Sequence, residues 1–206
     1  MKKTFLFIAV IMLFGLKPMD KGLTRQERDF AVQFMELTRD SLLLDLQGLS
    51  TKQLNWKADS TRWSVAQCVE HIALAEGVLM TAVDMNLKLP ADPAKRDSLK
   101  YSDQQIMAFL ANRNQKFQAP EMIRPSGKFS SFQAALDSFI TRRNRNIEYL
   151  KTTQDDLRDH FFMHPGFGII DDYQAILFMT AHSKRHTKQL EEVVNSTGYP
   201  KSILAP

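Results

Sequence analysis

Residues 171–196 read DDYQAILFMTAHSKRHTKQLEEVVNS, and this stretch decides the fold. Asp171 followed three residues later by Gln174 is a helix-start pattern, in which a side-chain oxygen at the N-cap meets backbone N–H groups that the first turn leaves unpartnered. From there Ala175, Met179, His182, His186, Leu190 and Val193 recur at spacings of four, three, four, four and three, the period of one helix face. Gly198 and Pro200 follow as stop signals. The apolar stripe requires a core to cover it, and two histidines lie within that stripe.

Working outward, the same grammar repeats. Thr24–Glu27, Ser64–Gln67, Ser102–Gln105 and Ser130–Gln133 are capping-box patterns. The first opens a helix to about Leu46, ended by Gly48. The second opens one to about Leu89, stopped by Pro90 and Pro93. The third is expected to reach Gln118 before Pro120, and the fourth carries Phe139, Ile140, Ile147 and Leu150. Ser50–Gln53 opens a short turn with Leu54 and Trp56. Phe167–Ile170 is the nearest approach to a strand and is too short to build a sheet. The expected class is all-α, a four-helix bundle with short extra helices, as one domain over residues 23–206.

Residues 1–22 read differently. Lys2 and Lys3 precede an apolar run, Thr4–Leu16, of signal-peptide length and too short for a comfortable bilayer span. The expectation is a signal peptide and a periplasmic, exported protein, with no stable membrane insertion after its removal; the alternative is a first core helix or an uncleaved membrane anchor. No Cys follows the run, which argues against a lipid anchor, and the single Cys68 among 206 residues excludes a disulfide scaffold. The net charge of +4 falls to +2 once Lys2 and Lys3 are set aside, so charge gives no support to nucleic-acid binding. With 44% hydrophobic residues the chain has ample material for a core.

The histidines carry the chemistry. His182 and His186, four apart, project from one face into the core, where unpaired imidazoles are costly. His71 shares a stripe with Gln67, Leu74 and Val78 on the second helix. If the two helices face each other, the three histidines would give a three-ligand site with an open position, the layout of a catalytic rather than a structural metal centre; otherwise they are hydrogen-bonded core residues. Imidazole suits several ions, so spacing alone does not choose among them. Ser183 stands where a zinc protease of the H-E-x-x-H type needs Glu, which excludes that chemistry.

The combination of Trp63-Ser64, His71, a late His182-x-x-x-His186, the tail Gln189-Leu190-Glu191-Glu192 and the loop His164-Pro165-Gly166-Phe167-Gly168 resembles the DinB/YfiT-like superfamily. The resemblance spans nearly the whole chain after residue 24. It implies a bundle of up-down-down-up connectivity and a divalent-metal site with His71, His182 and His186 as ligands. The three-histidine layout favours Zn or Ni as the metal, and the resemblance implies a small-molecule substrate, an activity of the hydrolase, thiol-dependent transferase or isomerase kind, and the homodimers frequent in the family.

Other features weigh less. Pro165 disfavours helical geometry at His164, so His160 and His164 are not expected to form a second site; His164 instead lines the entrance to the first. Gln67 is a candidate to orient a water, although it cannot take a proton. Cys68, on a stripe with Ile72, Ala75 and Leu79, reads as a small buried hydrophobe. Arg142-Arg143-Asn144-Arg145 reads as a solvated helix face. Three readings stay open: a metal-dependent enzyme, a non-catalytic metal- or ligand-binding bundle, and an apolar bundle with paired core histidines.

Overall fold

A computed structural model describes residues 22–201; the leader-like segment lies outside the described residues. Four long helices form the body: α1 (Arg25–Leu46), α3 (Val65–Asn86), α5 (Phe132–Thr152) and α6 (Asp172–Val194). Shorter helices α2 (Thr51–Asn55) and α4 (Asp103–Ala111) and two 3-10 turns fill the connections. α5 and α6 each pack against both α1 and α3, which puts the first and second long helices on a diagonal. No helix among the described residues is long and apolar enough to cross a membrane.

The starts follow local chemistry. Thr24, Ser50, Ser64 and Ser102 each form a complete capping box with Glu27, Gln53, Gln67 and Gln105, and Asp171 caps α6 by accepting from the Gln174 amide at 2.6 Å. α5 begins one residue later than the pattern suggests, because Ser131 rather than Ser130 accepts from the Ala134 amide. α4 ends at Ala111, well short of Gln118. A long-range partner holds the chain there: the Arg185 guanidinium donates to the carbonyl of Leu110 in the last turn and to those of Asn112 and Gln115 beyond it.

The absence of strands is corrected as well. β1 (Phe161–His164) and β2 (Gly168–Asp171) pair antiparallel, with Phe161 opposite Asp171 and His164 opposite Gly168. Four-residue strands are too short to display a period-two pattern, and the turn between them closes on Gly168 at φ 73°, a conformation that favours glycine.

The core has two apolar halves with a polar layer between them. One half contains Val32, Met35, Val83, Ile147, Ile176 and Met179. The other contains Leu42, Val69, Ile72, Phe139, Leu190 and Val193. Between them lies Arg143, with none of its side chain exposed. It donates to both carboxylate oxygens of Glu76 (2.8 and 2.7 Å), to the Thr38 hydroxyl (2.7 Å), to the Met35 carbonyl (3.3 Å) and to the Ser183 hydroxyl (2.8 Å). Asn146 adds a bond to Glu76 at 2.9 Å. The solvated face expected for residues 142–145 therefore holds for Arg142, Asn144 and Arg145 and fails for Arg143. Arg142 lies over Gly77, where any Cβ would collide with its guanidinium, and donates to the Ala73 carbonyl at 2.9 Å.

Candidate metal centre

His71 on α3 and His182 and His186 on α6 meet at the edge of the polar layer. The Nε2 of His182 lies 3.2 Å from the Nε2 of His71 and 3.2 Å from the Nε2 of His186. The proton positions follow from the outer nitrogens. His71 Nδ1 donates to the Ile123 carbonyl at 2.7 Å, and His186 Nδ1 donates to the Gln189 side-chain oxygen at 2.9 Å. Both residues therefore turn an Nε2 lone pair inward when neutral. His182 can offer its single proton to only one of them, and its Nδ1 is enclosed with no partner.

Burial, reinforced by the positive charge the neighbouring rings would carry, holds His182 and His186 well below the ordinary imidazole pKa, and burial lowers His71. All three are neutral near pH 7 and present acceptors to one another. Three lone pairs sharing at most one proton suit a cation. Two nitrogens at about 2.0–2.1 Å from a tetrahedral ion stand about 3.3 Å apart, close to the separations here.

The rings are enclosed by aromatics. Trp63 stands 4.8 Å from the His71 ring and 5.8 Å from that of His186, and Phe178 stacks on His182 at 5.8 Å. All three histidines open onto a cavity of about 1190 Å³. The segment 112–131 forms one side of it, held by Arg185, by the Ile123 carbonyl on His71, and by Glu70, which accepts from the amides of Ser126 (3.1 Å) and Lys128 (2.8 Å).

His164 lines this cavity at the end of β1. Its Nδ1 accepts from the Gly166 amide at 3.0 Å, so the neutral ring carries its proton on Nε2. Gln67 stays at its cap, its side-chain oxygen accepting from the Ser64 amide at 3.1 Å, and it is absent from the cavity wall. Gln189, three residues beyond His186, is the amide that serves the histidines; its i, i+3 spacing from His186 was the available signal. Cys68 is fully buried with its thiol pushed up to about 12 by burial, an inert hydrophobe. His160 sits apart, between the carbonyls of Asp156 (2.7 Å) and Leu89 (3.0 Å).

The sequence model of the DinB superfamily matches residues 35–190. The chain belongs to the DinB superfamily. Among curated relatives, the DinB chain is 26% identical over 150 residues to the uncharacterised protein YuaE of Bacillus subtilis, covering 72% of this chain and 88% of that one. Among solved structures it is similar to YfiT from Bacillus subtilis, described as a probable metal-dependent hydrolase with an unusual four-helix bundle topology. That match has a TM-score of 0.59 at 18% identity, over 89% of this chain and 94% of the other, a likeness of fold.

Proposed function

We propose that this protein is a divalent-metal-dependent hydrolase or transferase acting on a small molecule in the cavity, with His71, His182 and His186 as the ligands and Zn or Ni as the ion. The observation that carries this reading is the convergence of three imidazole lone pairs with at most one proton among them. Among the described residues no thiolate or carboxylate joins the group. Glu192, the acid of α6 that lines the cavity, is held in a two-bond pair with Arg113 at 2.9 and 3.0 Å. A site with three protein ligands and no fourth is built for turnover more than for holding a fold together.

A divalent ion in such a site supplies Lewis acidity to a substrate oxygen and acidifies a water molecule. The chain's own residues do the rest. The Ile123 carbonyl and Gln189 fix the tautomers of His71 and His186, which keeps both rings oriented without an ion. Trp63 and Phe178 shield the nitrogens from bulk water, and His164 Nε2–H provides a hydrogen-bond donor in the cavity wall.

The test is elemental analysis of purified protein beside His71→Ala and His182→Ala, with a melting curve for each. One ion per chain in the wild type, lost in both variants with little change in melting, supports the reading. Loss of the ion together with a collapse of the melting temperature points to a structural ion. No ion after reconstitution overturns the reading.

A further inference from the structure

The cavity is asymmetric along its length. From the histidines outward runs a continuous aromatic wall: Phe178 against His182 (5.8 Å between centroids), Phe167 against Phe178 (5.9 Å), Phe109 against Phe167 (5.0 Å) and Phe117 against Phe109 (5.7 Å). At the mouth Phe117 and Met122 are 61% and 60% exposed, apolar side chains that an occupant of the cavity would cover.

The charges of the wall are one-sided. Its two acids are both engaged, Glu192 with Arg113 and Asp59 with Arg62 at 3.5 Å. Lys116, Arg124 and Arg185 also belong to the wall, and among the described residues none of them meets a carboxylate. Arg124 donates to the Ala119 carbonyl at 3.3 Å; the Arg185 guanidinium is bonded to carbonyls and lies 5.6 Å from the Phe117 ring. Of these three, Lys116, beside Phe117, and Arg124 are the exposed cations of the wall, while Arg185 flanks Phe117 with its guanidinium already on carbonyls.

We propose that the substrate is an amphipathic anion, an apolar acyl or aryl body lying along the Phe109–Phe167–Phe178 wall, with its reacting end at the three histidines and a negatively charged group met by Lys116 and Arg124. This deepens the metal-site reading and rests on it for the chemistry, but not for the binding. A neutral ligand leaves Lys116 and Arg124 without a counter-charge, and a cationic amphipath meets like charges. The cavity exceeds what a very small polar molecule fills and suits a body of drug-like size.

The experiment titrates decanoate, decanol and decyltrimethylammonium into the full chain, first stripped of metal with chelator and then loaded with zinc, following binding by calorimetry and by Trp63 emission in a Trp56→Phe background. Decanoate is expected to bind metal-free protein at least about tenfold more tightly than either partner probe. The exposed double reversal Lys116→Glu/Arg124→Glu should erase that preference, and Phe117→Ser should weaken all apolar probes several-fold. Equal affinity for the three probes, or tighter binding of the cation, overturns the proposal. So does decanoate binding that requires zinc and ignores the charge reversal, since the carboxylate then sits on the ion. Metal content is counted separately, so failure here leaves the three-histidine reading standing, and failure of that reading leaves this binding preference measurable.

Discussion

Two buried polar clusters lie side by side on the same helices and obey opposite rules. At Glu76 and Arg143 the charged groups have partners all round: carboxylate, guanidinium, hydroxyls, carbonyl and amide close on one another. Five residues earlier on α3, and immediately before Ser183 on α6, the histidine cluster leaves facing acceptors without enough protons and one nitrogen with nothing at all. A satisfied cluster has no use for a ligand. An unsatisfied one, at the wall of a cavity, is tolerated because neutral imidazole is cheaper to bury than a charge, and it stays ready for a cation.

Breaking the satisfied cluster should have the largest effect. Glu76→Leu strands a guanidinium that has no exposure and should lose about 3–5 kcal/mol in urea unfolding. Glu76→Leu/Arg143→Met should recover most of it, and equal losses in single and double variants would show that the pair matters through shape rather than charge. In the unsatisfied cluster, His182→Ala should lower metal affinity by about a hundredfold or more. Its melting temperature without metal should stay within a few degrees of wild type, as a competition titration and a thermal scan would reveal.

A third prediction concerns a partly satisfied group between these extremes. Asp172 is fully buried, accepts from Asn86 at 2.8 Å through one oxygen and leaves the other unpartnered; burial pushes its pKa up to about 7. A carboxyl raised in the folded state contributes stability below the unfolded value near 4 and loses it as pH rises through the folded value. Asp172→Asn should therefore help more near pH 8 than near pH 5, by about 1–2 kcal/mol in paired urea titrations. An effect independent of pH would mean that the carboxyl is not titrating there. The smallest effect belongs to Gln189→Ala, which frees the His186 ring and should weaken metal binding about tenfold with no change in fold; a change in the metal-free melting point would assign Gln189 to packing.

What the sequence made legible was local. The caps at Thr24, Ser64, Ser102 and Asp171 are three-residue patterns, and the α6 stripe is a matter of spacing, so the bundle and its inward histidines could be read directly. His71, His182 and His186 come together because both stripes face one core. What escaped was set by distant partners. Arg143 resembles its exposed neighbours until Thr38, Glu76 and Ser183 arrive from three other helices, and the chain leaving α4 is held by Arg185 from 75 residues away. Gln67 had a second use in its cap, while the Ile123 carbonyl on His71 carries no signature in the side-chain sequence.

Arg143 also constrains the order of assembly. Its guanidinium lies on α5 and is completed by groups from α1, α3 and α6. Any intermediate with one of those helices undocked leaves a donor or acceptor facing water or facing nothing, so the charge stays hydrated until the last helix arrives. Drying of this layer is therefore concerted, and the two apolar halves of the core become one structure only at that step.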